Sequence, residues 1–160
     1  MYEGRLKRNS IPITIGVITS LICYFGLNIQ PKMISNYTDF MSGILSISSI
    51  ATGFLMASFA LIPALPNSKL IKLLRNSYTD LKLLDRMLIT MIGFILGSLL
   101  SLIMLFFNSE SSNGLAHLLL ALLFGILIFS FIEAFVIIHI LFKVIEAEYK
   151  NIKKSDKNNF

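Results

Sequence analysis

The stretch FMSGILSISSIATGFLMASFALIPAL, residues 40–65, decides the fold of this chain. It carries no charge, and at about 1.5 Å per residue its 26 residues can cross a bilayer core of about 30 Å. Small residues recur along it at helical spacing and fall on one stripe. They are Ser42, Ser46, Ser49, Gly53, Ala57 and Ala60. Because small residues let helix backbones approach closely in lipid, we expect a central transmembrane helix with this stripe packed on protein.

The composition places the whole chain in a membrane. Of its 160 residues, 55% are hydrophobic and only 14% are charged, and the mean hydropathy is +0.76. A soluble domain of this size needs more polar surface. We therefore predict one all-α integral membrane domain over residues 1–160. In such a protein the net charge of +5 is first a signal of topology and not of nucleic-acid binding.

Three further apolar runs complete a four-helix pattern. The predicted transmembrane helices are residues 11–29, 40–65, 87–107 and 115–142. The segments outside them hold 3, 1, 5, 0 and 5 Lys and Arg residues in chain order. The positive-inside rule then places both termini in the cytosol, with a cytosolic loop at 66–86 and a cytosolic tail at 143–160. The fourth run exceeds a perpendicular crossing, so we expect it to tilt or to project into the cytosol.

A second set of small residues lies in the third predicted helix. Gly93 and Gly97 form a GxxxG pair, and Ser101 continues the same side. With two small faces in one protomer, we predict contacts within the chain and between copies, and hence a homo-oligomer in membrane lipid. The predicted packing residues are Ser46, Ser49, Gly53, Ala57, Gly93, Gly97 and Ser101.

Glu133 is the single acid inside a predicted transmembrane helix. It precedes Lys143 by ten residues, about 15 Å of helix, which puts it near mid-membrane. An isolated acid there costs about 2.5–3.5 kcal/mol, so it faces a partner or a water cavity. One interpretation is an ion or proton site, or a ring of acids around an oligomer axis. The other is a hydrogen-bonded acid that fastens helices, with Thr52 or Ser58 as its partner. His139 lies on a different side of the same helix.

No pattern of catalysis or cofactor binding accompanies these helices. Two His, one Cys and no cluster of carboxylates make no metal site, and we find no GxSxG, Gly-rich phosphate loop or HExxH. We therefore predict no catalytic, cofactor or metal site and no enzyme activity. Lys69, Lys72 and Arg75 of the cytosolic loop contact lipid headgroups or form a docking face for a cytosolic protein partner. Direct nucleic-acid binding has no supporting motif.

In size, four-span layout and basic cytosolic face, the chain resembles small membrane subunits of bacterial anti-phage defence systems. The Kiwa membrane subunit is one type, and the four-span effectors of nucleotide-signalling defence are another. The resemblance covers the layout of the whole chain and carries over no site residues. It implies an oligomeric, multi-pass protein of the bacterial inner membrane, a sensor or pore that works with a cytosolic partner. The alternatives are a small ion channel or transporter subunit, and a membrane anchor for a soluble protein.

Overall fold

The computed structural model describes residues 9–64, 79–107 and 114–157, and within these ranges every regular element is helical. Three helices are long and apolar enough to cross a membrane, and one is shorter. In chain order the four are α1 (Ser10–Leu21), α2 (Tyr37–Ala64), α3 (Thr79–Met104) and α4 (Gly114–Lys157). The chain is therefore an all-α protein with the make-up of a multi-pass membrane protein.

The first apolar helix is shorter than the predicted span of residues 11–29. After Leu21 the backbone widens into a π-helical turn, Ile22–Gly26, and the apolar helical stretch Ser10–Gly26 has 17 residues. Asn28 then takes a left-handed conformation at φ 45°, which a helix interior does not accommodate. A single 3₁₀ turn, Pro31–Met33, leads toward α2.

The helices pack as a row in the order α2, α3, α4, α1, and neighbours run antiparallel. The start of α2 meets the end of α3, where the Tyr37 hydroxyl donates to the Met104 carbonyl at 2.8 Å. α3 packs against both α2 and α4, and α4 also packs against α1. The prediction that residues 40–65 form the central helix is wrong, because α2 lies at one edge of this row. It approaches α4 near its start, where the ring centres of Phe40 and Phe124 are 6.1 Å apart.

Two apolar clusters lie between the helices, toward opposite ends of the helix axes. The larger joins the start of α2, the end of α3 and the first half of α4. Its buried members are Tyr37, Met41, Ile44, Met104, Leu120, Leu123 and Leu127. The smaller cluster consists of Leu83, Met87 and Ile137, with Phe59 packed against it. It covers the region where the start of α3 passes the second half of α4.

Two glycines set the distance between α1 and α4. A Cβ atom on Gly16 would lie 2.9 Å from the carbonyl oxygen of Gly125, and one on Gly125 would collide with the Ser20 hydroxyl. The two backbones are thus in direct contact, which only residues without a side chain permit.

Of the described helices, the last continues well beyond its candidate membrane span. The candidate span ends at Lys143, whereas α4 runs on to Lys157. At about 1.5 Å per residue this extension is about 20 Å long. Residues 143–157 of the predicted cytosolic tail are therefore a direct continuation of the fourth helix.

Candidate functional site

A buried ion pair joins α3 to α4. The Arg86 Nη1 donates to the Glu133 Oε2 at 3.2 Å. The Glu133 side chain is 0% exposed and that of Arg86 is 11% exposed. A carboxylate with this little exposure must be compensated by an opposite charge, and the guanidinium supplies it.

The antiparallel register of the two helices brings these residues together. Gly93 of α3 lies against Ser130 of α4, where a Cβ on the glycine would collide with the serine hydroxyl. Glu133 follows Ser130 by three residues, almost one helical turn, and therefore lies at the level of Thr90. Arg86 precedes Thr90 by about one turn of α3, and its long side chain spans that turn. The Thr90 hydroxyl donates to the Arg86 carbonyl at 2.8 Å and so stays within its own helix.

Arg86 is the partner of Glu133 that the sequence analysis missed. We assigned it to the cytosolic loop at 66–86, but α3 begins at Thr79, so Arg86 already lies inside the helix. The hydroxyl of Thr52, one of the two predicted partners of Glu133, donates instead to the Ser48 carbonyl at 2.8 Å. Within the single chain Glu133 faces α3. Its role as an ion or proton site, or in a ring of acids, stays a prediction.

The small-residue stripe of α2 faces away from the rest of the chain. A Cβ on Gly53 would meet no atom within 4 Å. The opposite face is the packed one: Ile44, Ser48 and Leu55 are buried. The four predicted packing residues of this helix are all exposed in the single chain; they are Ser46, Ser49, Gly53 and Ala57. Their predicted role stays a prediction about contacts between chains.

The small residues of α3 lie inside the chain. A Cβ on Gly97 would lie 3.3 Å from Leu127 of α4 and 3.5 Å from the Ser48 hydroxyl of α2. The Ser101 hydroxyl donates to the Met41 carbonyl at 2.6 Å. Gly93 and Gly97 thus bring α3 close to α4, and Ser101 fastens it to α2.

An apolar groove of about 310 Å³ opens between α2, α3 and α4. Its walls are mostly large apolar side chains, and Ser58 is the one hydroxyl among the lining residues. The walls include Phe54, Leu55, Met87, Phe131, Phe135 and Ile138. Such a lining has no ionisable side chain, and it suits acyl chains or other apolar side chains.

His117 and Cys23 are both packed against other parts of the chain. His117 is half-buried and stacks on Tyr24 with ring centres 4.5 Å apart. Cys23 is buried. Within the described ranges no three His, Cys, Asp or Glu side chains are grouped as metal ligands would be. Lys69, Lys72 and Arg75 lie outside the described residues.

Comparison of the chain with models of protein families, with curated proteins and with solved structures found no match.

Proposed function

We propose that this chain is an oligomeric subunit of the bacterial inner membrane that acts as the sensor or pore of an antiviral defence module, together with a cytosolic partner. The observation that carries the proposal is the exposed small-residue face of α2. The resemblance to defence subunits, in size, number of helices and basic segments outside the helices, also supports the proposal.

The exterior of α2 is divided into two unlike halves. One half carries the large apolar side chains of Ile47, Ile50 and Phe54, all strongly exposed, which suit contact with acyl chains. The other half is the small-residue face, rotated from the first by about 90° on a helical projection at about 100° per residue. A face of serine, glycine and alanine gives lipid little to pack against but lets another helix approach closely.

The hydroxyl group of Ser46 on the small-residue face has its hydrogen-bond partner within α2. The Ser46 hydroxyl donates to the Ser42 carbonyl at 2.8 Å, one turn back in the same helix. Such a serine is compatible with close helix packing, and its oxygen can still accept a hydrogen bond. If several copies arrange this face around an axis, the oxygens of Ser42, Ser46 and Ser49 line a polar stretch of about 10 Å. The glycine and the alanines of the face continue the path with small apolar residues.

The buried ion pair has a different part in this proposal. Arg86 and Glu133 hold α3 against α4 inside each copy, which leaves α2 at the edge of the row as the helix available to neighbours. The proposal therefore assigns assembly to α2 and internal cohesion to the pair.

A matched pair of glycine variants tests the proposal. Gly53 and Gly43 are both open, since a Cβ added at either would meet no atom within 4 Å, but only Gly53 belongs to the small-residue face. We expect Gly53→Leu to lose both the oligomer, measured by mass in detergent, and dye-detected depolarisation in cells during phage challenge. Gly43→Leu should retain both.

The opposite outcomes are equally clear. A wild-type chain that is monomeric and never depolarises cells, yet co-purifies with a soluble neighbour, would favour the anchor alternative. Equal effects of the two leucine variants would show that the small-residue face has no special part in assembly.

A further inference from the structure

A second exposed face, on α4, carries apolar residues at alternating spacings of three and four. The positions are 128, 131, 135, 138, 142, 145, 149 and 152, and each holds Ile, Phe or Tyr. We call this set the heptad stripe. Its described side chains are all exposed, including Phe135 at 70%, Phe142 at 67% and Ile145 at 51%. This spacing is the a/d pattern of a coiled coil.

Lipid accounts for only part of the heptad stripe. Up to Phe142 the stripe lies within the candidate span, Gly114–Lys143, where exposed apolar side chains contact acyl chains. Ile145 lies beyond that span, on the part of α4 that runs to Lys157 with Lys and Glu residues around the stripe. A helix that alternates charged residues with one narrow apolar seam outside the bilayer is built to pair with another helix.

We infer that a second copy of this chain packs its own α4 along the heptad stripe, with the two helices parallel. Copies inserted in one membrane share one orientation, so identical α4 extensions emerge side by side and in register. The inference rests on the proposed function in one respect, namely that copies of the chain assemble. It adds a second contact, outside the bilayer, to the contact through α2.

The charges beside the seam favour the parallel arrangement. With Phe142 at an a position and Ile145 at d, residue 148 falls at g and residue 153 at e. In a parallel coiled coil the g position of one helix faces the next e position of its neighbour. The sequence has a glutamate and a lysine at these two positions, so the heptad pattern predicts opposite charges across the pair. The extension is too short to pair alone, and the membrane-embedded part of α4 supplies the alignment.

Cysteine cross-linking in native membranes tests this pairing in the full-length chain. Cys23 is the only cysteine, so Cys23→Ala gives a clean background. We expect Ile145→Cys to form disulfide-linked dimers on mild oxidation. Ala147→Cys, at the outward f position two residues away, should stay monomeric. Equal cross-linking at both positions, or cross-links to a protein of another mass, would overturn the inference.

A charge swap supplies the second measurement. Glu148→Lys places like charges opposite each other and should lower the yield of Ile145→Cys dimers toward background. Adding Lys153→Glu restores opposite charges and should restore the yield, whereas absence of this rescue argues against a parallel pair. Dimers that form in cells whose membranes never depolarise would retain the pairing and refute the pore. Depolarisation without disulfide-linked dimers at residue 145 would support the pore and refute the pairing of α4.

Discussion

At the scale of single residues, Arg86 and Glu133 show how one charge inside apolar helices determines the need for another. Neither residue is stable alone between α3 and α4, since burial removes the water that would solvate it. The pair converts two costly groups into a neutral contact between helices. Its value is cohesion and register more than net stability, because a well-packed apolar pair can be as stable as a buried ion pair.

We predict that Glu133→Leu destabilises the protein by about 3–5 kcal/mol, because it removes the carboxylate to which the largely buried Arg86 guanidinium donates. The double variant with Arg86→Leu should recover most of that loss, since it removes both charges. Glu133→Gln keeps the size and a hydrogen-bond acceptor and should fall between them. Thermal unfolding of the four proteins in detergent measures this order. A double variant no more stable than Glu133→Leu would show that the two residues are not coupled.

The sequence alone could have found Arg86 through register. The link between the third and fourth predicted helices centres near residue 111, so in an antiparallel hairpin Glu133 faces a residue near Thr90. An arginine one turn away reaches that position with its side chain. Charge counting concealed this possibility, because it assigned Arg86 to a loop as one more topological base. An arginine can be a topology signal and an ion-pair partner at once, because its backbone can lie near the membrane surface while its guanidinium turns toward the neighbouring helix.

At the scale of helices, the contact between α1 and α4 depends on the absence of side chains at Gly16 and Gly125. We predict that Gly125→Val separates these helices, because its Cβ would meet the Ser20 hydroxyl and lie 2.7 Å from the Gly16 carbonyl oxygen. Cys23, buried near the end of α1, reports the change. Its reaction with a membrane-permeant thiol reagent should accelerate in the variant.

The control for this prediction is Gly114→Val. Gly114 begins α4, and a Cβ there would meet no atom within 4 Å. Its thiol reactivity should match that of the wild type. Unchanged reactivity in Gly125→Val would mean that α1 is held elsewhere.

Apolar length predicted four apolar helices, of which three are long enough to cross a membrane and the first is shorter than predicted. The direction of the helix faces could not be predicted. In water, an apolar face marks the interior of a protein, but in lipid both faces of a helix are apolar and the pattern loses that meaning. The stripe of α2 and the GxxxG pair of α3 look alike in sequence. One is exposed and the other lies between helices, because a small residue permits a close neighbour without specifying which chain provides it.

At the scale of the whole molecule, the distribution of Lys and Arg predicts orientation. Reporter fusions after Arg75 and after Phe160 should read as cytosolic, and a fusion at Ser111 as periplasmic, because the basic segments stay inside. Activity of paired enzyme reporters on each side of the membrane measures this. A cytosolic reading at Ser111 would contradict four crossings. The apolar helical stretch Ser10–Gly26 has only 17 residues, so it is the predicted crossing with the least margin.

The contact of α1 with α4 also has a consequence for biosynthesis. α1, the first of the described helices to leave the ribosome, packs against α4, the last of them. In contrast, α2 and α3 are sequence neighbours and can pair as soon as both are inserted. α1 must therefore wait at the translocon or in lipid, without its neighbour, until Gly125 has been translated. Among the described helices, α2 and α3 can therefore pair first, and α1 docks only after α4 has been inserted.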